Sequence, residues 1–217
     1  MNSPTEFLKP NEAAVVSCVR LRDVNRAIDE LILPETLVGR NHGRWLKREA
    51  CTFLAFYFES ADRLTSEERV LTIRTIWDRV AHKALKPSSV LLTSDWVMEH
   101  EFLSIDLRTF AKRTNDRLSK LEAARKRVTV SDDVLGGAPV FRGTRVPVHQ
   151  VAALLAANVS PDEILEDYPA LRRTDLELAV LYANANPPRG RPSPLLANLP
   201  NGTKLRSERR IARKGAR

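Results

Sequence analysis

The proline-studded basic stretch from Pro187 to Arg217 limits how much of this chain can fold. The segment PPRGRPSPLLANLPNGTKLRSERRIARKGAR has five prolines and few large apolar residues, too few to fill a core, so it is expected to be disordered when free. It carries nine Lys and Arg against the single acid Glu208. Residues 1–186 then hold 26 basic and 26 acidic side chains, which places the whole net charge of +8 in this tail. Any nucleic-acid reading of the neutral body must rest on local arrangement rather than overall charge. With 43 % apolar residues the body can build two small cores or one larger one.

The opening MNSPTEF lacks a charged segment leading into an apolar run, and nowhere do about eighteen apolar residues follow one another, so a cytoplasmic protein is expected. Cys18 and Cys51 have no metal-ligand spacing and read as buried small apolar residues.

Hydrophobic spacing gives a mainly α chain with small β elements. Ala14, Val15, Val19, Val24, Ala27 and Ile28 suit two short helices interrupted near Ser17 and Cys18, a helix, turn and helix. Pro34, Gly39, Asn41 and Gly43 break the period, so a hairpin-like wing is expected before the helical pattern resumes from Leu46 to Phe58. Thr65-Ser66-Glu67-Glu68 opens a further helix that Pro87 stops. Val90–Thr93 is strand-like, and a short central β-hairpin is expected around Trp96, Met98 and Leu103–Leu107. From Phe110 to Arg127 only Phe110, Leu118 and Leu121 share an apolar face, which suits a connecting helix or dimer contact better than a core helix. Beyond it, Ser160-Pro161-Asp162-Glu163 and Thr174-Asp175-Leu176-Glu177 read as capping boxes, and Asn158 as a left-handed helix cap, giving three short helices over 148–186.

The run Gly136-Gly137-Ala138-Pro139-Val140-Phe141-Arg142-Gly143-Thr144-Arg145-Val146-Pro147-Val148, followed by VSPDEILEDYPAL, resembles the domain-of-unknown-function 433 family over about Thr129 to Asn184. Asn158 stands where that family usually has glycine, with the same backbone demand. The resemblance implies a homeodomain-like trihelical fold found in VapB-type antitoxins, whose partners are PIN-like ribonucleases. The first sixty residues resemble the winged helix of the MerR group, with SCVRLRDVNRAI at the second helix and GRNHGRWL at the wing. The expected organisation is therefore a winged helix-turn-helix over 1–60, connecting helices and hairpin with dimerisation over 61–127, the trihelical module over 128–186, and a toxin-binding tail over 187–217.

In the N-terminal module Arg20, Arg22, Asn25 and Arg26 fall on or beside one face of the second helix, offering guanidinium forks and an amide to phosphates and base edges. Arg40, Asn41, His42 and Arg44 in the wing suit backbone or minor-groove contacts. The acids Asp23, Asp29 and Glu30 balance them, as on an ordinary solvated helix. Residues 131–186 carry four basic against eight acidic side chains and repel phosphate, so their helix-turn-helix reads as a packing or dimerisation unit. Arg142 and Arg145 read first as turn residues paired with nearby acids, with DNA contact as the alternative.

In the tail Arg189, Arg191, Arg206, Arg209, Arg210 and Arg213 suit the carboxylate cluster with which such a ribonuclease holds divalent metal, with Leu195, Leu196 and Leu199 as apolar anchors. The same charges also serve a non-specific nucleic-acid arm. His82, His100 and His149 lack partners at metal spacing, and Asp95, Glu99, Glu101 and Asp106 flank a hairpin where solvated carboxylates are the default. No phosphate loop, dinucleotide fingerprint or serine elbow is present. No catalytic residue, metal or cofactor is expected. The function expected is a homodimeric antitoxin that neutralises a PIN-like ribonuclease and binds operator DNA, the alternative being a stand-alone transcriptional regulator.

Overall fold

The structure, a computed structural model, describes residues 7–40, 43–81, 96–100 and 103–188. It is mainly α-helical with small antiparallel sheets. Residues 1–187 form one compact unit and 188–217 a second, of which only Pro188 is described. The strand expected at Val90–Thr93 and the helix stop at Pro87 lie outside the described residues.

Strand β1 (Phe7–Leu8) leads into α1 (Pro10–Ser17) and α2 (Leu21–Asp29). Cys18 takes a left-handed conformation (φ 53°), and the Val19 amide donates to the Ala14 carbonyl at 3.0 Å, so the chain reverses at the expected break. A single 3-10 turn (Glu35–Leu37) precedes β2 (Val38–Gly39) and β3 (Trp45–Lys47). β3 is the central strand, pairing antiparallel with both neighbours. Leu46, expected to begin a helix, instead sits fully buried in β3 opposite Leu8 and Val38, and the helix starts four residues later. The Trp45 indole crowds Gly39, where a Cβ would fall 1.7 Å from the ring, and Phe7 meets Trp45 edge-on at 4.4 Å.

Helix α3 (Ala50–Glu59) is buried at every position from Ala50 to Tyr57, as befits a helix apolar all round and covered on all sides. α1, α4 (Ser66–Ala81) and α5 (Arg108–Arg127) pack on it. Thr65 and Glu68 form the expected reciprocal cap of α4, the Thr65 amide donating to the carboxylate at 2.7 Å. Strands β4 (Val97–His100) and β5 (Leu103–Asp106) form the central hairpin, and Trp96 and Trp77 close on Phe53.

Helix α5 (Arg108–Arg127) is a core helix, contrary to the expectation of a connector. Its buried face is Ala111, Thr114, Leu118, Leu121 and Ala124. Ala111 and Thr114 are small enough to let α3 approach closely, and the Thr114 hydroxyl meets that of Thr52 at 2.9 Å inside the contact. Residue 60 is therefore no packing boundary: one continuous core runs from Leu8 to Leu121.

After β6 (Val128–Thr129) and β7 (Val140–Phe141) come α6 (Val148–Ala156), α7 (Pro161–Asp167) and α8 (Arg173–Ala185). Asn158 (φ 61°) ends α6 as read, with Val159 donating to Leu154 and Asn158 to Leu155. The Ser160 hydroxyl accepts from the Glu163 amide at 3.1 Å to cap α7. α8 begins before the expected Thr174: Asp175 accepts from the Arg172 amide at 2.9 Å and is the residue that caps it. Leu176 and Ala179 point into a second core with Phe141, Val148, Val151 and Ile164, whereas Leu181 and Ala185 pack on the first. One helix thus serves both cores. Among the described residues no helix is long and apolar enough to cross a membrane.

Candidate nucleic-acid interface

Helix α2 buries Val24, Ala27 and Ile28 and turns its polar residues outward. At its N-terminal end the Arg20 and Arg22 side chains are 72 % and 71 % exposed. Both lean toward Asp23, at the long separations of 3.9 and 3.6 Å. One carboxylate shared between two exposed guanidinium groups at such distances holds neither firmly, so either is cheaply redirected to a phosphate. Both arginines line a depression of about 440 Å³ that also takes in Arg26, Phe58 and Glu59.

The remaining expected contacts are committed within the molecule. Arg26 forms a two-pronged pair with Glu30 at 2.9 and 3.0 Å. Arg44 donates to the Asn25 side-chain oxygen at 3.0 Å and pairs with Asp29 at 3.0 Å, which ties the β2–β3 hairpin to α2. Arg40 donates to the Ile28 carbonyl, also at 3.0 Å, and occupies the end of the same helix. The structure therefore gathers Arg20, Arg22, Asn25, Arg26, Arg40 and Arg44 around α2, with Arg20, Arg22 and Arg26 sharing one depression, and leaves Arg20 and Arg22 the least engaged. Asn41 and His42 lie outside the described residues, as do Arg189, Arg191, Leu195, Leu196, Leu199, Arg206, Arg209, Arg210 and Arg213.

The second helix pair, α7 and α8, differs. α8 packs on α6, α5 and α1, which bury Leu176, Ala179 and Ala185, while Val180 stays exposed. Its start is fixed by a charge pair that sequence reasoning missed: Arg127 at the end of α5 donates to both Asp175 oxygens at 2.8 and 2.9 Å. The Asp175 side chain is 4 % exposed. Burial alone would raise its pKa, but the bonds from Arg127 and the Arg172 amide outweigh that and hold the carboxyl below its ordinary value. Arg127 also donates to the Arg142 carbonyl at 2.7 Å, pinning the Arg142-Gly143-Thr144-Arg145 turn, in which Gly143 has φ 79°. A second missed pair, Arg125 with Glu12 at 2.7 Å, joins α5 to α1. The only sequence signal for either was an acid at a first-turn position, which identifies a cap but not its distant arginine.

Arg142 and Arg145 stand exposed, and among the described residues neither makes the ion pair expected of it. Burial lowers the pKa of His149, which tilts against Tyr182 at 6.2 Å. Asp106 is held by Arg108 at 2.6 Å. Among the described residues no group of three or more His, Cys, Asp or Glu is placed to hold a metal ion.

Residues 128–183 match the family described as protein of unknown function (DUF433), so the turn pinned by Arg127 and helices α6 to α8 are the DUF433 part of the chain. Nearly the whole chain is similar to a protein of Sinorhizobium fredii (strain NBRC 101917 / NGR234) described as uncharacterized protein y4eO. The two are 52 % identical over 214 residues, covering 99 % of this chain and 96 % of that one. The chain belongs to the same family as y4eO. Among solved structures, Rv2018 from Mycobacterium tuberculosis matches with 14 % identity and a TM-score of 0.35, over 83 % of this chain and 98 % of that one.

Proposed function

We propose that the chain is the antitoxin of a type II toxin–antitoxin pair, a dimeric DNA-binding protein whose tail neutralises a PIN-like ribonuclease. The observation that carries this reading is the separation of charge, a body with as many acids as bases and a proline-rich tail holding the entire excess of +8. Such a tail suits a cavity lined by metal-binding carboxylates. Arginines placed there supply the positive charge the metal would bring, and the cost of ordering the tail is offset by charge-assisted hydrogen bonds. The operator-binding half of the proposal rests on Arg20 and Arg22 at the exposed start of α2, beside a hairpin stapled to that helix by Arg44 and Arg40. Those two arginines equally favour a second reading, a regulator without a toxin, in which the tail only strengthens DNA binding.

A chain ending at Pro187, the edge of the compact unit, separates the two. On the antitoxin reading it no longer inhibits the nuclease encoded beside it, while operator affinity stays within about threefold. On the regulator reading no adjacent nuclease is neutralised by either form, and truncation lowers both DNA affinity and its salt dependence.

A further inference from the structure

Between α1, α5 and α8 runs a groove of about 630 Å³ walled by Val15, Leu21, Leu178, Val180 and Leu181. Leu21 and Val180 remain 42 % and 38 % exposed, large apolar side chains standing at the groove rather than under it. We propose that a second copy of this chain occupies the groove, packed about a two-fold axis.

A two-fold contact requires a patch complementary to itself. This one holds both the hollow and the protruding side chains that would fill it. Its rim carries both signs: Lys120 on α5 and Glu177 on α8 lie 3.7 Å apart, both largely exposed, with Arg117 beside them, so a two-fold axis near this pair brings the cations of each copy toward the acid of the other. Asn11 and Asn184 add side-chain amides that donate and accept alike. A partner charged with one sign would meet a like charge on that rim, the cations Arg117 and Lys120 or the acid Glu177. Arg20 and Arg22 line a neighbouring depression with Phe58 and Glu59, which adjoins the groove at Cys18 and Val19. The inference rests only on the dimeric part of the proposed function, and it is measured without DNA or nuclease.

Cys18 supplies the probe. It is exposed and lines the groove, whereas Cys51 is fully buried, with its thiol pKa pushed up to about 12 by that burial. Maleimide therefore reports on Cys18 alone. Sedimentation of the full-length protein should show a dimer, and Val180→Glu and Leu21→Glu should each raise its dissociation constant at least ~10-fold. Circular dichroism checks that both remain folded. Lys120→Glu should weaken the dimer, and Lys120→Glu with Glu177→Lys should restore it. Cys18 should react with maleimide at least ~10-fold faster in Val180→Glu than in the native dimer. A native chain that stays monomeric at high micromolar concentration overturns the proposal. Cys18 open in that monomer means that nothing covers the groove; Cys18 protected in it means that the tail does. A dimer indifferent to both glutamate substitutions overturns it equally.

Discussion

Two of the described pairs of consecutive helices joined by a short turn, α1–α2 and α7–α8, have second helices with opposite fates. α2 buries one stripe and leaves its N-terminal arginines in solvent. α8 packs on α1, α5 and α6 and is anchored at its start by a buried carboxylate. The local geometry of two helices and a turn thus does not fix how much of the second helix stays in solvent. What decides is whether the rest of the fold needs the second helix for its cores.

The strongest way to break this contrast is at Asp175. Asp175→Ala should cost about 3 kcal/mol or more in denaturant unfolding, because it strands a half-buried Arg127 and uncaps α8. A loss under about 1 kcal/mol would show that α8 is not held as described. The hairpin beside α2 is tested by Gly39→Val, which drives a side chain into the Trp45 ring. A destabilisation of about 2 kcal/mol and a changed near-ultraviolet signal from Trp45 are expected.

Acid sharpens the Asp175 argument. The folded carboxyl titrates below its unfolded value of about 3.9, so its stabilisation is complete above that pH. It is lost as the pH falls through the lowered folded value. The native chain should therefore lose more stability than Asp175→Ala across that window in acid-titrated thermal melts.

The smallest effects on stability carry the functional half of the comparison. Arg20→Ala and Arg22→Ala should each leave unfolding within about 0.5 kcal/mol of the native chain. Each should weaken operator binding ~10-fold and reduce the salt slope by about 1. Arg173→Ala, at the corresponding start of α8 and paired only with exposed Asp162, should leave operator binding unchanged. Equal losses from Arg22 and Arg173, read by fluorescence anisotropy, would erase the distinction between the two helix pairs.

Local chemistry was legible at most helix starts and stops. Thr65 with Glu68 and Asn158 after α6 behave as read, Ser160 accepts from the Glu163 amide without the return bond of a full capping box, and the start of α8 falls two residues before the Thr174 read from sequence. Long-range packing was not legible. α5 looks polar because Ala111, Thr114 and Ala124 count for little on a hydrophobic scale, yet the small size of Ala111 and Thr114 is what allows α3 to approach it. Leu46 fits a helical period and a strand equally, and its pairing with Leu8, which depends on β1 thirty-eight residues earlier, decides the matter. At the candidate interface, the face of α2 was readable from spacing. The internal commitments of Arg26, Arg40 and Arg44 depend on how the hairpin folds back.

Helix α8 carries a consequence for folding. Its first half completes one apolar interior and its second half seals another, so neither interior can open without exposing the other. The stretch that recurs as a family unit is therefore not a thermodynamic one. Heating should melt residues 7–187 in a single cooperative transition, and a protease acting on native chains should find no stable half to release.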